Sequence, residues 1–194
     1  EAAQFRDWLI DKGMGKSTVK RVFSSIRSII NLAIKEHGLE GNNGFLGTFI
    51  PDGLRETTRK PIPVEVIKDI QTTCKEIDDD LRWLIALLSD TGMRLGEAVG
   101  LLKSDIILDT DTPHLNLIPH PWRRLKTTGS ERKIPLVGAS LWSARRAKQS
   151  NPTNQFAFPR YCNEQSHNSN SASAALNKWL RNYAPEGCVV HSFR

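Results

Sequence analysis

Apolar residues recur along this chain with two different periods, and the change between them divides it. Phe5, Trp8 and Leu9 sit at helical spacing, and Gly13 and Gly15 end that first helix. The stretch "STVKRVFSSIRSIINLAIKEHG" then puts Val19, Val22, Phe23, Ile26, Ile29, Ile30 and Ala33 on one stripe, with Gly38 as its C-cap. The opposite face carries Lys16, Lys20, Arg21 and Arg27. Such a face reads first as solvated and, more sharply, as phosphate-facing. Two helices close no core alone, so the pattern predicts further helices ahead of Glu1.

From "GNNGFLGTFIPDGLRETTRKPIP" the periodicity gives way to Gly, Asn, Pro and charge, which reads as a linker. Pro63 suits the first turn of the next helix, where Ile67, Ile70, Cys74 and Ile77 share a face. "DDDLRWLIALLSD" is a strongly apolar helix stopped by Gly92, and "MRLGEAVGLL" starts another at once. After that the period becomes two. "SDIILD", "PHLNLIP", "WRRLKTT" and "ERKIPL" read as short strands, turned at "DTDTP" and "TGS". Helices return at "SLWSARRAKQS" and "SASAALNKWLRNYAP", the latter with Leu176, Trp179, Leu180 and Tyr183 on one face. The expected fold is mainly α with a small three-stranded antiparallel β-sheet (α+β). Its expected organisation is a helical domain over 1–50, a linker over 51–62 and a mixed domain over 63–194.

Composition changes this picture little: 39% hydrophobic and 25% charged residues suit a soluble globular protein. Apolar runs fall short of a membrane span, and Cys74, Cys162 and Cys188 are widely spaced with no C-x-x-C pair. That pattern points to a reducing, cytoplasmic compartment and away from a structural zinc; Cys162 and His167 are two ligands, short of a site. Charge distribution changes more. Residues 1–60 carry 10 Lys/Arg against 7 Asp/Glu, residues 61–120 carry 5 against 11, and residues 121–194 carry 12 against 3. Basic surfaces at both ends suit a polyanion, of which nucleic acid is the usual one.

Four features bear on chemistry. In "TGMRLGE", Gly92 ends one helix and sets Arg94 at the start of the next, where free backbone N–H groups and a positive helix end favour anions. Glu97, three residues on, shares its face and buttresses the guanidinium. A plain surface Arg–Glu pair fits this motif equally well. In "RRLKTTGSERKIPL", a turn between strands brings Lys126 near a hairpin tip, and lysine suits general acid work. A basic hairpin that only touches a DNA backbone, through Arg124 and Lys133, is the simpler reading of that stretch. In the terminal "HSFR", a helix would point His191 and Arg194 the same way, toward one phosphate. Ser192 has no G-x-S-x-G elbow around it, so a hydrolase pair is a poor reading. The fourth feature is an absence: no Walker loop, HExxH or acidic metal-gripping quartet occurs in the chain.

Taken in order, Arg94, Lys126 and His191-x-x-Arg194 make a set that resembles the tyrosine recombinases, the phage integrase family. "TGMRLGEAVGL" is similar to its first arginine box, "LKTTGSERKIPL" to its hairpin lysine and following strand, and "HSFR" to the start of its second box. "STVKRVFSSIRSIINLAIKE" is similar to the last helices of its core-binding domain. The resemblance runs over nearly the whole chain and implies a catalytic domain preceded by part of a helical core-binding domain. It implies a site-specific DNA strand transferase, using neither metal nor nucleotide cofactor, that acts as a tetramer on two duplexes in a bacterial host, with DNA-bending proteins as further partners. By position, Arg94 and Arg194 would clamp the scissile phosphate and His191 would join them as general base. Lys126 would protonate the departing 5′-oxygen and Glu97 would hold the site together. The family's nucleophilic tyrosine lies beyond its second box, so the resemblance implies a longer polypeptide; Tyr161 and Tyr183 precede the box. Two other classes compete. One is a non-catalytic DNA-binding relative of the same fold, against which the intact Arg-Lys-His-Arg set argues. The other is an all-helical adaptor with chance motif matches.

Overall fold

The helical periodicity at the start of the chain becomes α1 (Ala2–Asp11) and α2 (Lys16–His37). Gly38, at φ +57°, takes the left-handed conformation that ends α2. Leu9, Val19 and Phe23 are buried between the helices, with Phe5 and Phe45 packed against them. The Phe23 ring lies 5.9 Å from Phe5 and 5.6 Å from Phe45; burying such a ring contributes roughly 1.5–3 kcal/mol. Buried Asn43 fastens the following loop to α2: its amide donates to the Arg27 carbonyl at 3.1 Å and to Asn31 Oδ1 at 2.7 Å. The expected apolar stripe is only partly covered, because Ile29 is 68% exposed. The computed structural model describes residues 1–54 and 59–194, and the chain divides into two units, 1–58 and 59–194. Residues 55–58 of the expected linker lie outside the described residues. Ile62, also within that expected linker, is core of the second unit.

In the second unit, α3 (Val64–Ile77) and α4 (Asp80–Thr91) are followed by the five-residue α5 (Leu95–Val99). Asp79 caps α4 by accepting from the Arg82 N–H at 3.0 Å. Leu84 to Leu88 are all buried, so α4 is the centre of the core, packed between α3 and α6 (Gly138–Gln149). Gly92, at φ +57°, ends α4 and lets α5 begin three residues later. The strands β1 (Ile106–Ile107), β2 (His114–Leu117) and β3 (Arg132–Pro135) form an antiparallel sheet in that order. Leu115 pairs with Ile106 and Ile134, and all three are buried. Helix α7 (Ser169–Leu180) and a final 3-10 turn, Val190–Phe193, complete the unit. Among the described residues no helix is long and apolar enough to cross a membrane.

Three elements differ from the expectations. "WRRLKTT" forms no strand: near its start Arg123 turns inward, wholly buried, and bonds the backbone carbonyls of Glu97 and Ile118. Among the described residues the segment has no ladder partner beyond an isolated bridge between His120 and Arg123. Lys126 therefore lies on a long connection, 118–131, with a 3-10 turn at Thr128–Ser130, instead of beside a tight hairpin tip. "HSFR" falls in a 3-10 turn, Val190–Phe193, with Arg194 capping it, and α7 stops before Tyr183, whose ring lies tilted against Trp179 with centroids 4.3 Å apart.

Candidate active site

Two arginines of the second unit meet at Glu97. Arg94 is the N-cap of α5, and its backbone N–H donates to Glu97 Oε2 at 2.9 Å. The Arg94 guanidinium donates to Glu97 Oε1 at 2.7 Å. Arg132, from β3, donates to Glu97 Oε2 at 3.0 Å. The carboxylate is 4% exposed, against 34% and 36% for the two arginine side chains. Burial pushes the Glu97 carboxyl up, but the hydrogen bonds from Arg94 and Arg132 outweigh it and hold it below the ordinary carboxylate value. An arginine at a helix N-terminus is otherwise disfavoured by the dipole; here the carboxylate compensates it, and the outer edge of the guanidinium stays open to solvent.

The terminal turn comes to this place because α7 and α4 position it. Asn177 on α7 accepts from the Val190 N–H at 2.8 Å. The Phe193 carbonyl oxygen passes at ordinary van der Waals distance from Gly92, 4.0 Å from where a Cβ would stand, so the turn packs on the end of α4. His191 and Arg194 are exposed, three residues apart on a helix of three residues per turn, and so share a face. Partial desolvation, then the positive charges of Arg59, Arg194 and Arg94, hold the His191 imidazole below its ordinary pKa. His191 and Arg59 also border a cleft of about 310 Å³ with Met93, Leu95, Ser173 and Asn177. Arg59, Arg94 and Arg194 gather around His191, and among the described residues only Arg94 of the three has a carboxylate partner, so the place suits an anion.

Lys126 and Arg124 are exposed on the 118–131 connection, and Lys133 is exposed on β3. In the first unit Lys20 and Arg21 are exposed, whereas Lys16 pairs with Asp52. Arg27 differs from the solvated face expected for it: its Nε donates to the Phe45 carbonyl at 2.8 Å, and its guanidinium lies 5.8 Å from the Phe23 ring centre. His167 Nδ1 donates to the Trp122 carbonyl at 2.7 Å, and among the described residues no group of three or more metal-ligating side chains gathers, there or elsewhere. Sequence reasoning missed Arg59, Arg123 and Arg132 as members of this region. Arg132 stood inside the quoted "ERKIPL", but its bond to Glu97 spans 35 positions and leaves no local pattern.

No curated protein matches the chain. Solved structures do. An integrase of the Tn1549 transposon, in complex with circular intermediate DNA, superposes with a TM-score of 0.68 at 16% identity, over 99% of this chain and 68% of that one. Lambda integrase bound to DNA superposes with 0.69 at 17% identity, over 99% and 67%. A lambda integrase tetramer on a Holliday junction gives 0.68 at 16%, over 99% and 54%. This chain thus spans about two thirds of the first two and about half of the third, and at these identities the likeness is one of fold. The phage integrase family itself matches residues 61–194, which hold Arg94, Glu97, Lys126, His191 and Arg194. With more than half of its length matched, the chain belongs to the phage integrase family, the tyrosine recombinases.

Proposed function

We propose that this protein is a site-specific DNA recombinase in which Arg94, His191 and Arg194 hold the scissile phosphate and Lys126 serves as general acid. The observation that carries this reading is the gathering of Arg59, Arg94 and Arg194 around His191, with Arg94 oriented by Glu97. In the proposed step a tyrosine oxygen attacks phosphorus, forming the new P–O bond, and its phenolic proton passes to His191. The P–O5′ bond breaks, its electron pair leaves with the 5′-oxygen, and that oxygen takes a proton from Lys126. Tyr161 is buried, and both it and the exposed Tyr183 precede His191 in the chain, so the reading takes its nucleophile from a tyrosine outside these 194 residues.

The region 1–50 would be part of a core-binding domain, 51–62 a linker and 63–194 the catalytic domain, both domains meeting duplex DNA. Lys20, Arg21, Arg124 and Lys133 are the exposed cations suited to phosphate contacts; the weaker candidates are Lys16 and Arg27, each with a partner in its own unit. The DNA complexes and the Holliday-junction tetramer of the similar integrases support a tetramer on synapsed DNA; a reducing, cytoplasmic compartment is supported by the cysteine pattern alone, three free thiols. The test is a nicked suicide substrate offered to the full-length gene product. A covalent protein–DNA adduct is expected, lost in Tyr→Phe at the nucleophile and slowed roughly 10²-fold or more in Arg94→Ala and Arg194→Ala. An adduct formed by the 194-residue chain alone would overturn the assignment. Binding should also weaken by about 0.9 log units per phosphate contact for each roughly tenfold rise in salt, and Lys20→Ala should flatten that slope by about one contact.

A further inference from the structure

We infer that Arg123 is a positioning residue for Lys126: with Arg132 it ties both ends of the segment carrying the lysine to Glu97. The inference rests on the reading of Lys126 as general acid. Arg123 is fully buried, and it spends its guanidinium on backbone. Nη1 donates to the Glu97 carbonyl at 2.9 Å, and Nη2 donates to the Ile118 carbonyl at the start of the connection. Nη2 also lies 3.6 Å from Asp105 Oδ2, the carboxylate that His120 Nε2 meets at 3.0 Å. Around it the chain folds tightly. His120 and Arg123 exchange backbone hydrogen bonds of 3.0 and 2.9 Å. The Trp122 ring stacks on His120 at 4.9 Å, and its indole N–H donates to the Gly100 carbonyl at 3.2 Å. Gly100 is needed for this approach, since a Cβ there would lie 2.7 Å from Arg123 Cδ.

A buried guanidinium is costly to desolvate, and an apolar side chain of similar volume fills such a space at least as favourably. Burial lowers the Arg123 pKa, with Asp105 opposing. The Nε finds no partner among the described residues, so the site is not built to satisfy charge as fully as it could be. What an apolar residue cannot do is bond two carbonyls from different elements, one on α5 and one at the head of the connection. The far end is fixed in a matching way. Thr127 and Ser130 close a turn, with the Ser130 N–H donating to the Thr127 carbonyl at 3.0 Å. Arg132 donates from Nη1 to the Ser130 carbonyl at 2.9 Å and from Nη2 to the Glu97 carboxylate. Between the two anchors lie only Arg124, Leu125 and Lys126. Three residues reach at most roughly 10 Å, so Lys126 has little freedom of place once both ends are set. Glu97 thus holds Arg94 with its carboxylate and, through two other arginines, the segment that presents the acid.

The experiment uses the full-length protein in single-turnover cleavage of two substrates, one with the natural 5′-oxygen and one with sulfur bridging at that atom. A thiolate leaves without a proton, so sulfur removes the need for an acid. The variants are Arg123→Met, which keeps volume but loses both carbonyl bonds, and Arg132→Gln, which alters a partly exposed side chain and is expected to be the milder change to folding. Lys126→Ala is the control. Both positioning variants are expected to cleave the oxygen substrate roughly 10–10²-fold more slowly, as a misplaced group does, with DNA affinity unchanged and with near wild-type rates on sulfur. Rescue of Lys126→Ala but not of these variants would overturn the inference while leaving the acid in place, as would wild-type rates on oxygen for both. If Lys126→Ala itself is not rescued, the acid assignment fails instead. Should Arg123→Met not fold, Arg132→Gln decides alone by the same two rates.

Discussion

The two arginine boxes of this unit meet at one place and are built in opposite ways. In the first, Arg94 sits against a buried carboxylate that Arg132 also shares, so two cations are offset by Glu97 and fixed by it. In the second, His191 and Arg194 stand on an exposed 3-10 turn held by backbone and by Asn177, with Arg59 and Arg94 adding to their charge. Among the described residues, Arg94 and Arg132 have a carboxylate partner, and His191 and Arg194 have none. An orienting carboxylate costs some of the attraction for phosphate but fixes a guanidinium, while an uncompensated turn keeps the attraction and leaves order to the ligand. A strand-transfer site needs both, since charge must be placed as well as present.

The largest expected effect breaks the first box. Glu97→Ala leaves Arg94 and Arg132 without their shared partner. Removing one member of a fully buried pair costs roughly 3–5 kcal/mol; these arginines are about one-third exposed and therefore screened. A loss of roughly 2–3 kcal/mol is expected, or a fall in Tm of roughly 4–12 °C for a chain of this size. The pH dependence carries a sign. Glu97 has a folded pKa below its unfolded value of about 4.3, so its contribution is present above that value and is lost as pH falls through the folded one. Thermal melts of Glu97→Gln should lack that acid-limb component. An unchanged Tm in Glu97→Ala would mean that the carboxylate holds nothing.

The difference between the boxes was partly legible in the chain. "TGMRLGE" contains its own geometry, because a glycine stop, a helix start and an i,i+3 carboxylate are all local, and Gly92, Arg94 and Glu97 stand as that pattern demands. The two-residue period likewise located β1 to β3, although β1 is only two residues long. What escaped was charge that turns inward. Arg123 in "WRRLKTT" reads as one more basic surface residue, and only the carbonyls of Glu97 and Ile118, brought close by the folded chain, give it a buried role. Arg27 escaped for the same reason, its partner being a carbonyl 18 positions away. Periodicity reports which side chains avoid water; it is silent about a guanidinium that finds acceptors of its own.

A smaller effect sharpens the comparison from the side of the second box. If that turn wants an anion, sulfate should stabilise the protein by about 1.4 kcal/mol at ten times its Kd, read as a rise in Tm. Arg194→Ala should lose most of the gain, because it removes a cation facing His191. Glu97→Gln should keep the sulfate gain while starting from a lower Tm, since its carboxylate belongs to the satisfied box. Equal gains from sulfate in the wild type and in Arg194→Ala would show that the ion binds elsewhere.

The smallest effect belongs to His191 and runs through protons. Its pKa is held down by desolvation and by Arg59, Arg194 and Arg94. Below an unfolded value of about 6.5 the unfolded chain therefore binds more protons than the folded one. Stability should decline as pH falls through that value and level off below the folded pKa, a window well above the one in which Glu97 acts. An anion seated among the arginines offsets the charges that depress the imidazole, so its pKa rises on binding and a proton is taken up. Sulfate affinity should then increase as pH falls between the bound and free pKa values, by at most about tenfold per pH unit. Sulfate does not titrate in this range, so the proton must come to the protein. Calorimetry in two buffers of different ionisation enthalpy measures the uptake directly, and His191→Gln should remove it while leaving sulfate bound by Arg94 and Arg194. Proton release on binding, or uptake that persists in His191→Gln, would place the titrating group outside the second box and undo the contrast between the two.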